Sequence, residues 1–174
     1  TVIAFLSPLL AQHPNIGGFN VYFGDLHNHC SYSDGAGTAD EAYRYAHEIG
    51  GYDFFGLSDH AELLSDDEWK AMKRKANRYY INDEYVTFWG FEWSSIIYGH
   101  INIIGSDNFC SSLNLPTFTF SNLLNWINSN ECIAFFNHPG YSVITDNEFN
   151  HFNNTPSERL AGMEIWNGNA GFNQ

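Results

Sequence analysis

The sequence predicts an α/β fold built on a largely parallel sheet, either open or closed into a barrel. Two observations carry this expectation. Short apolar runs alternate along the chain with segments whose apolar residues recur at helical spacing. Polar clusters rich in histidine and aspartate close several of those runs, and in such folds the chemistry sits beyond the carboxyl ends of the strands.

Taken in order, an apolar run over residues 20–25 (Val21, Tyr22, Phe23) stops at a polar cluster. Thr38 and Glu41 have the spacing of a capping box, and Ala42, Tyr43, Ala46 and Ile49 follow at helical intervals until Gly50-Gly51 ends the helix. A second strand over 52–57 is closed by Ser58-Asp59-His60. Ser65 with Glu68 repeats the capping pattern and opens a helix that carries Lys70, Lys73, Arg74, Lys75 and Arg78. Strands are expected over 85–93 and 101–104. Leu123, Leu124, Trp126 and Ile127 predict a helix over 120–130. A strand over 131–136 ends at Asn137-His138-Pro139-Gly140, and another is expected over 163–166.

The 174 residues suit one domain. A mean hydropathy of -0.31 and 17% aromatic residues exclude a disordered chain and a bundle of membrane spans. Seven Lys+Arg against 20 Asp+Glu leave a net charge of -13, which repels phosphate backbones, so no nucleic-acid partner is expected. Three cysteines (Cys30, Cys110, Cys132) are too few and too scattered for a disulfide framework, and buried thiols are expected. Residues 1–18 read as a leader or linker, with the domain running from 19 to 174. The apolar start is similar to the apolar part and cleavage region of a secretory signal without its basic start, which leans towards export. An edge strand or an upstream linker fits the same residues. Pro8 and the short length speak against a membrane span.

Five of the eight histidines (His27, His29, His60, His100, His138) fall in strand-end or strand-flanking segments, whereas His13, His47 and His151 read as surface residues. His27 and His29, at i and i+2 on an extended backbone, project to one side and can reach a single ion. Asp34 follows in Ser33-Asp34-Gly35 and adds a carboxylate that strengthens the pair, with turn chemistry an equal explanation for Asp34 by itself. Asp59-His60 closes a buried run and suits a ligand with its orienting partner, or an acid/base pair. Glu92 lies among Phe88, Trp89, Phe91 and Trp93. A carboxylate in that setting either binds a cation or points from a strand edge to water, and the alternation of the run permits both. His100 opens a strand and His138 precedes Pro139. Histidine-rich ligands with few carboxylates suit zinc, manganese or iron better than calcium or magnesium. Neither a Gly-rich phosphate loop nor a Gly-x-Ser-x-Gly elbow is present, which removes support from kinase and serine-hydrolase readings.

Asp25-Leu26-His27-Asn28-His29 with Ser33-Asp34-Gly35, then Leu57-Ser58-Asp59-His60, Gly90-Phe91-Glu92 and Asn137-His138-Pro139-Gly140, resemble the ordered motifs of the PHP (polymerase and histidinol phosphatase) superfamily. The resemblance runs from about Phe23 to Asn167. It implies a distorted (β/α)7 TIM-like barrel and hydrolysis of small-molecule phosphoesters by a metal-activated hydroxide, with two or three divalent ions. It further implies that His27 and His29 hold one metal, that Glu92 bridges to a second bound by His138, and that Asp34 and His60 hold a third. His100 matches a Gly-His before a strand and joins the expected ligands. Glu92, His60 and His138 are the expected catalytic residues, with His60 or His138 giving a proton to the leaving alkoxide.

The Asp-x-His motif that ends PHP domains has no counterpart after Trp166, and Asp146 and His151 have the wrong spacing to replace it. The expectation is therefore a barrel incomplete at its C-terminus, with an unpaired strand edge near 163–166 and a ligand vacancy filled by water, buffer or a neighbouring chain. Should the chain alone prove saturated with metal and fully active, Asp59 or Glu164 is the first candidate to complete the coordination. Two competing readings remain. One is a noncatalytic, metal-stabilised module of the same fold. The other is an extracellular binding domain displaying Trp89, Trp93 and Trp126.

Overall fold

The computed structural model describes residues 13–139, 157–165 and 167. The apolar segment 1–12, Asp146, His151 and Trp166 lie outside the described residues. Strands β1 (Asn15–Ile16) and β2 (Phe19–Asn20) form an antiparallel hairpin across the boundary expected near residue 18. The main elements follow as β3 (Gly24–Asp25), α1 (Ala39–Glu48), β4 (Phe54–Leu57), α2 (Asp66–Tyr79), β5 (Val86–Ser95), β6 (Gly99–Ile104), α3 (Phe120–Ser129), β7 (Ile133–Asn137) and β8 (Leu160–Met163). Among the described residues, β3 to β8 make one six-stranded sheet in sequence order.

Local chemistry starts the helices where the sequence says it should. The hydroxyl of Thr38 accepts from the Glu41 amide at 3.2 Å, and the Glu41 carboxylate accepts from the Thr38 amide at 2.8 Å. Ser65 and Glu68 close the same reciprocal pair at the start of α2. Both helices then pack on one face of the sheet. Tyr43 of α1 donates to the Phe88 carbonyl at 2.7 Å, and Trp69 of α2 meets Phe91 edge-on. Phe91 also meets Trp126 of α3. Tyr85, Thr87, Phe91 and Trp93 are buried on the helix side of the β5 run, with Trp89 half-buried among them, so the alternate row Gly90, Glu92, Ser94 faces the opposite side. All three cysteines are buried free thiols.

The sheet is mixed rather than largely parallel. Strands β3, β4 and β5 run parallel, β6 is antiparallel to both β5 and β7, and β7 and β8 are parallel again. The reason is loop length: residues 96–98 alone join β5 to β6, whereas a parallel crossover needs about a dozen residues. The reversal brings the first residues of β6 to the end where the other strands finish, and it pairs His100 with both Ser94 and Asn137.

The sheet also curls. Between its outer strands a flat sheet would span about 24 Å. Yet His27, just beyond β3, lies 3.3 Å from Glu164, just beyond β8, and Asn102 of β6 donates to the Leu26 carbonyl at 2.7 Å. Among the described residues β8 pairs only with β7, and Ala161, Gly162 and Met163 are exposed.

Candidate metal centre

The concave face gathers the strand-end side chains around Glu92. Strand β5 is central in the sheet and its outer row is covered by helices, so Glu92 points into the curl, where it is fully buried. Its Oε1 lies 3.3 Å from His27 Nε2, 3.1 Å from His100 Nδ1 and 3.3 Å from His138 Nε2. Its Oε2 lies 3.4 Å from His29 Nε2 and 2.8 Å from His60 Nδ1. Two ligand groups follow, His27–Glu92–His138 and His29–His60–Glu92, each with ligand atoms within 4.8 Å of one another. Glu92 belongs to both.

The loop after β3 is folded onto this site by Asp59 and Gly35. Buried Asp59 accepts from the Cys30 amide at 2.9 Å and from the Ser33 hydroxyl at 2.7 Å. A Cβ at Gly35 would stand 2.2 Å from the His29 carbonyl oxygen, so only glycine lets the turn pack against that backbone. The turn carries Asp34 to the rim, where its carboxylate sits 2.6 Å from His29 Nδ1 and 3.5 Å from His60 Nε2. Asp59 is thus spent on the loop and does not face the imidazole of its neighbour His60. Ser94 does, at 2.6 Å from Nδ1.

Electrostatics follow from this crowding. Burial opposes ionisation of Glu92, but the imidazoles of His100, His138, His27 and His29 outweigh it and hold the carboxyl far below the usual range. For His27, burial favours the neutral ring, yet the carboxylates of Glu164 and Glu92 prevail and lift it to about 9. His60 is raised despite burial by Glu92, Asp34 and Glu62. Asp34 is lowered by His29 and His60 against a desolvation cost.

The donor set fits a cation. His29 Nε2 and Glu92 Oε2 are buried, face each other at 3.4 Å and make no hydrogen bond. A ring that donates through Nδ1 to Asp34 presents its Nε2 lone pair, so two acceptors meet with nothing between them. A positive ion satisfies both.

The structure brings His27, His29, His60, Glu92 and His138 into the two groups and sets Asp34 and His100 at their margins, against His29 and His60 and against Glu92 respectively. Three contributors carried no assignment in the sequence. Asn137, buried beside His138, donates to Glu92 Oε1 at 2.7 Å, and its place inside a quoted motif was the available signal. Ser94 and Asn102 had none. Glu164 accepts from the His138 amide at 2.7 Å and lies 3.3 Å from His27 Nδ1.

No protein family matches the chain by sequence, and no curated protein does. Among solved structures, it is similar to a two-domain protein from Bacteroides vulgatus containing a predicted PHP-like metal-dependent phosphoesterase. The TM-score is 0.64 and the identity 18%, over 88% of this chain and 47% of that one. The chain thus spans about half the length of this neighbour. Within that span the protein has the fold of the PHP-like neighbour, with a His/Glu cluster suited to metal at the strand ends.

Proposed function

We propose that the protein is a PHP-type phosphoesterase that works with two or three divalent ions of zinc, manganese or iron on a small-molecule phosphoester, within a distorted (β/α)7 barrel frame. One observation carries the reading: a fully buried carboxylate whose two oxygens each serve a separate set of imidazoles. Such an arrangement would hold two cations close together without a second acidic residue between them.

His27, Glu92 and His138 would hold one ion, and His29, His60 and Glu92 the other. Asp34 with His60 is the place for a third, and His100 steadies Glu92 Oε1. When bound, divalent cations would supply Lewis acidity here, neutralising charge on the phosphoryl oxygens and acidifying water. Asn137 keeps Glu92 aimed at the imidazoles through its amide. Of His60 and His138, whichever does not hold an ion would be the one able to give a proton to the leaving alkoxide. The net charge of -13 repels a polynucleotide, which favours a small substrate.

The test is elemental analysis of the purified protein, with turnover of an aryl phosphate measured before and after chelation. The expected result is at least two transition-metal equivalents, with activity lost to chelator and restored by metal. Bound metal without turnover of any phosphoester would point to a noncatalytic module. Protein that takes up no metal would sink the reading.

A further inference from the structure

Strands β7 and β8 run parallel with one irregularity. Ala134 pairs with Leu160, but Phe135 pairs with Gly162 and Phe136 with Met163, so Ala161 is an extra residue on β8. Side-by-side residues of a sheet share a face, and a slip of one residue turns every following side chain over. Without the bulge, Met163 would stand beside Asn137 and the next side chain, Glu164, would turn to the opposite face. With it, the register sets Glu164 beside Asn137, whose side chain points to Glu92, and the Glu164 amide donates to the Phe136 carbonyl at 2.7 Å.

Turned inward, Glu164 touches two members of one ligand group. Its carboxylate lies 3.3 and 3.4 Å from His27 Nδ1, and Oε2 accepts from the His138 amide at 2.7 Å. His138 has φ of 27°, a region that side-chain-bearing residues seldom adopt, and a charged acceptor on its amide helps hold it there. On the far side of the His27 ring, Nε2 faces Glu92 at 3.3 Å and the Asn137 amide nitrogen at 3.2 Å.

We propose that Glu164 is the positioning residue of the His27–Glu92–His138 group: it holds the Nδ1–H of His27 so that Nε2 faces the ion, fixes the His138 backbone, and is aimed by the Ala161 bulge. It acts through its neighbours and is not itself a ligand. The assignment rests on the metal reading above only for its effect on affinity.

The experiment pairs metal affinity, measured by chelator competition with zinc and with manganese, with nitrogen-15 NMR of the His27 ring in metal-free protein. Wild type should show a hydrogen-bonded, slowly exchanging Nδ1–H. Glu164→Ala should lose that signal and bind metal about 10- to 100-fold more weakly, the usual effect of losing a carboxylate behind a ligating histidine. Glu164→Gln, whose carbonyl still accepts from Nδ1–H, should recover part of both. Wild-type affinity in Glu164→Ala, or weaker binding with an unchanged Nδ1–H signal, overturns the proposal. If wild type binds no metal, the metal reading fails, while the Nδ1–H comparison still decides whether Glu164 positions His27.

Discussion

Burying an ionised carboxylate costs several kcal/mol unless donors or cations surround it. Glu92 meets that condition at Oε1 with the rings of His100 and His138 and the Asn137 amide, while its Oε2, which makes no hydrogen bond, suits a cation. Glu92→Gln keeps the volume and one acceptor but removes the charge that both ligand groups share. It should therefore lower metal affinity by at least about 100-fold, since a lost supporting partner alone costs about 10- to 100-fold, while circular dichroism still reports a folded chain. Full metal occupancy in this variant would show that Glu92 is not shared between ions. At this scale the sequence was legible for residue types. His27 and His29 stand at i and i+2, which predicts one shared ion, whereas the structure sets them in separate ligand groups, and the alternation around Glu92 fits an inward and a water-facing side chain equally. Only Trp69 of α2 and Trp126 of α3, packed on Phe91, decide which row faces inward.

Elements were readable where the signal is local. Both capping boxes form as their spacing requires, because a cap needs only residues three apart. Strand direction was not local. The antiparallel β6 follows from a connection too short to cross over, and the polar strand ends mask that shortness in the sequence. The β8 bulge is still less visible: Leu160, Ala161, Gly162 and Met163 carry no pattern that marks an extra residue, and the strand starts three residues before the expected 163. Deletion of Ala161 should restore an even register and turn Glu164 outward. The expected outcome is the metal affinity of Glu164→Ala in a protein that still carries the glutamate. Unaltered affinity would mean that the bulge does not aim this side chain.

On the scale of the whole molecule, burial shapes the response to alkali. Desolvation, helped by the charge of Asp59, pushes the Cys30 thiol up to about 12 from 9.0, and desolvation takes Cys110 to about 12 as well. Above pH 9 the unfolded thiols ionise while the folded ones keep their protons, so the folded state binds more protons and loses stability as pH rises. The loss is about 1.4 kcal/mol per thiol per pH unit between pH 9 and 12. Urea unfolding at pH 8 and pH 10 should show it, and Cys30→Ala should flatten the slope; equal slopes in the two proteins would refute the assignment. The sequence by itself determined the α/β class, the helices with their caps, and the set of histidines and acids at the strand ends, since these depend on periodicity and short spacings. The tertiary structure decided what the set becomes. Curling of the sheet brings residues from its opposite edges, His27 and Glu164, within 3.3 Å, and no spacing along the chain encodes a contact between side chains 137 positions apart.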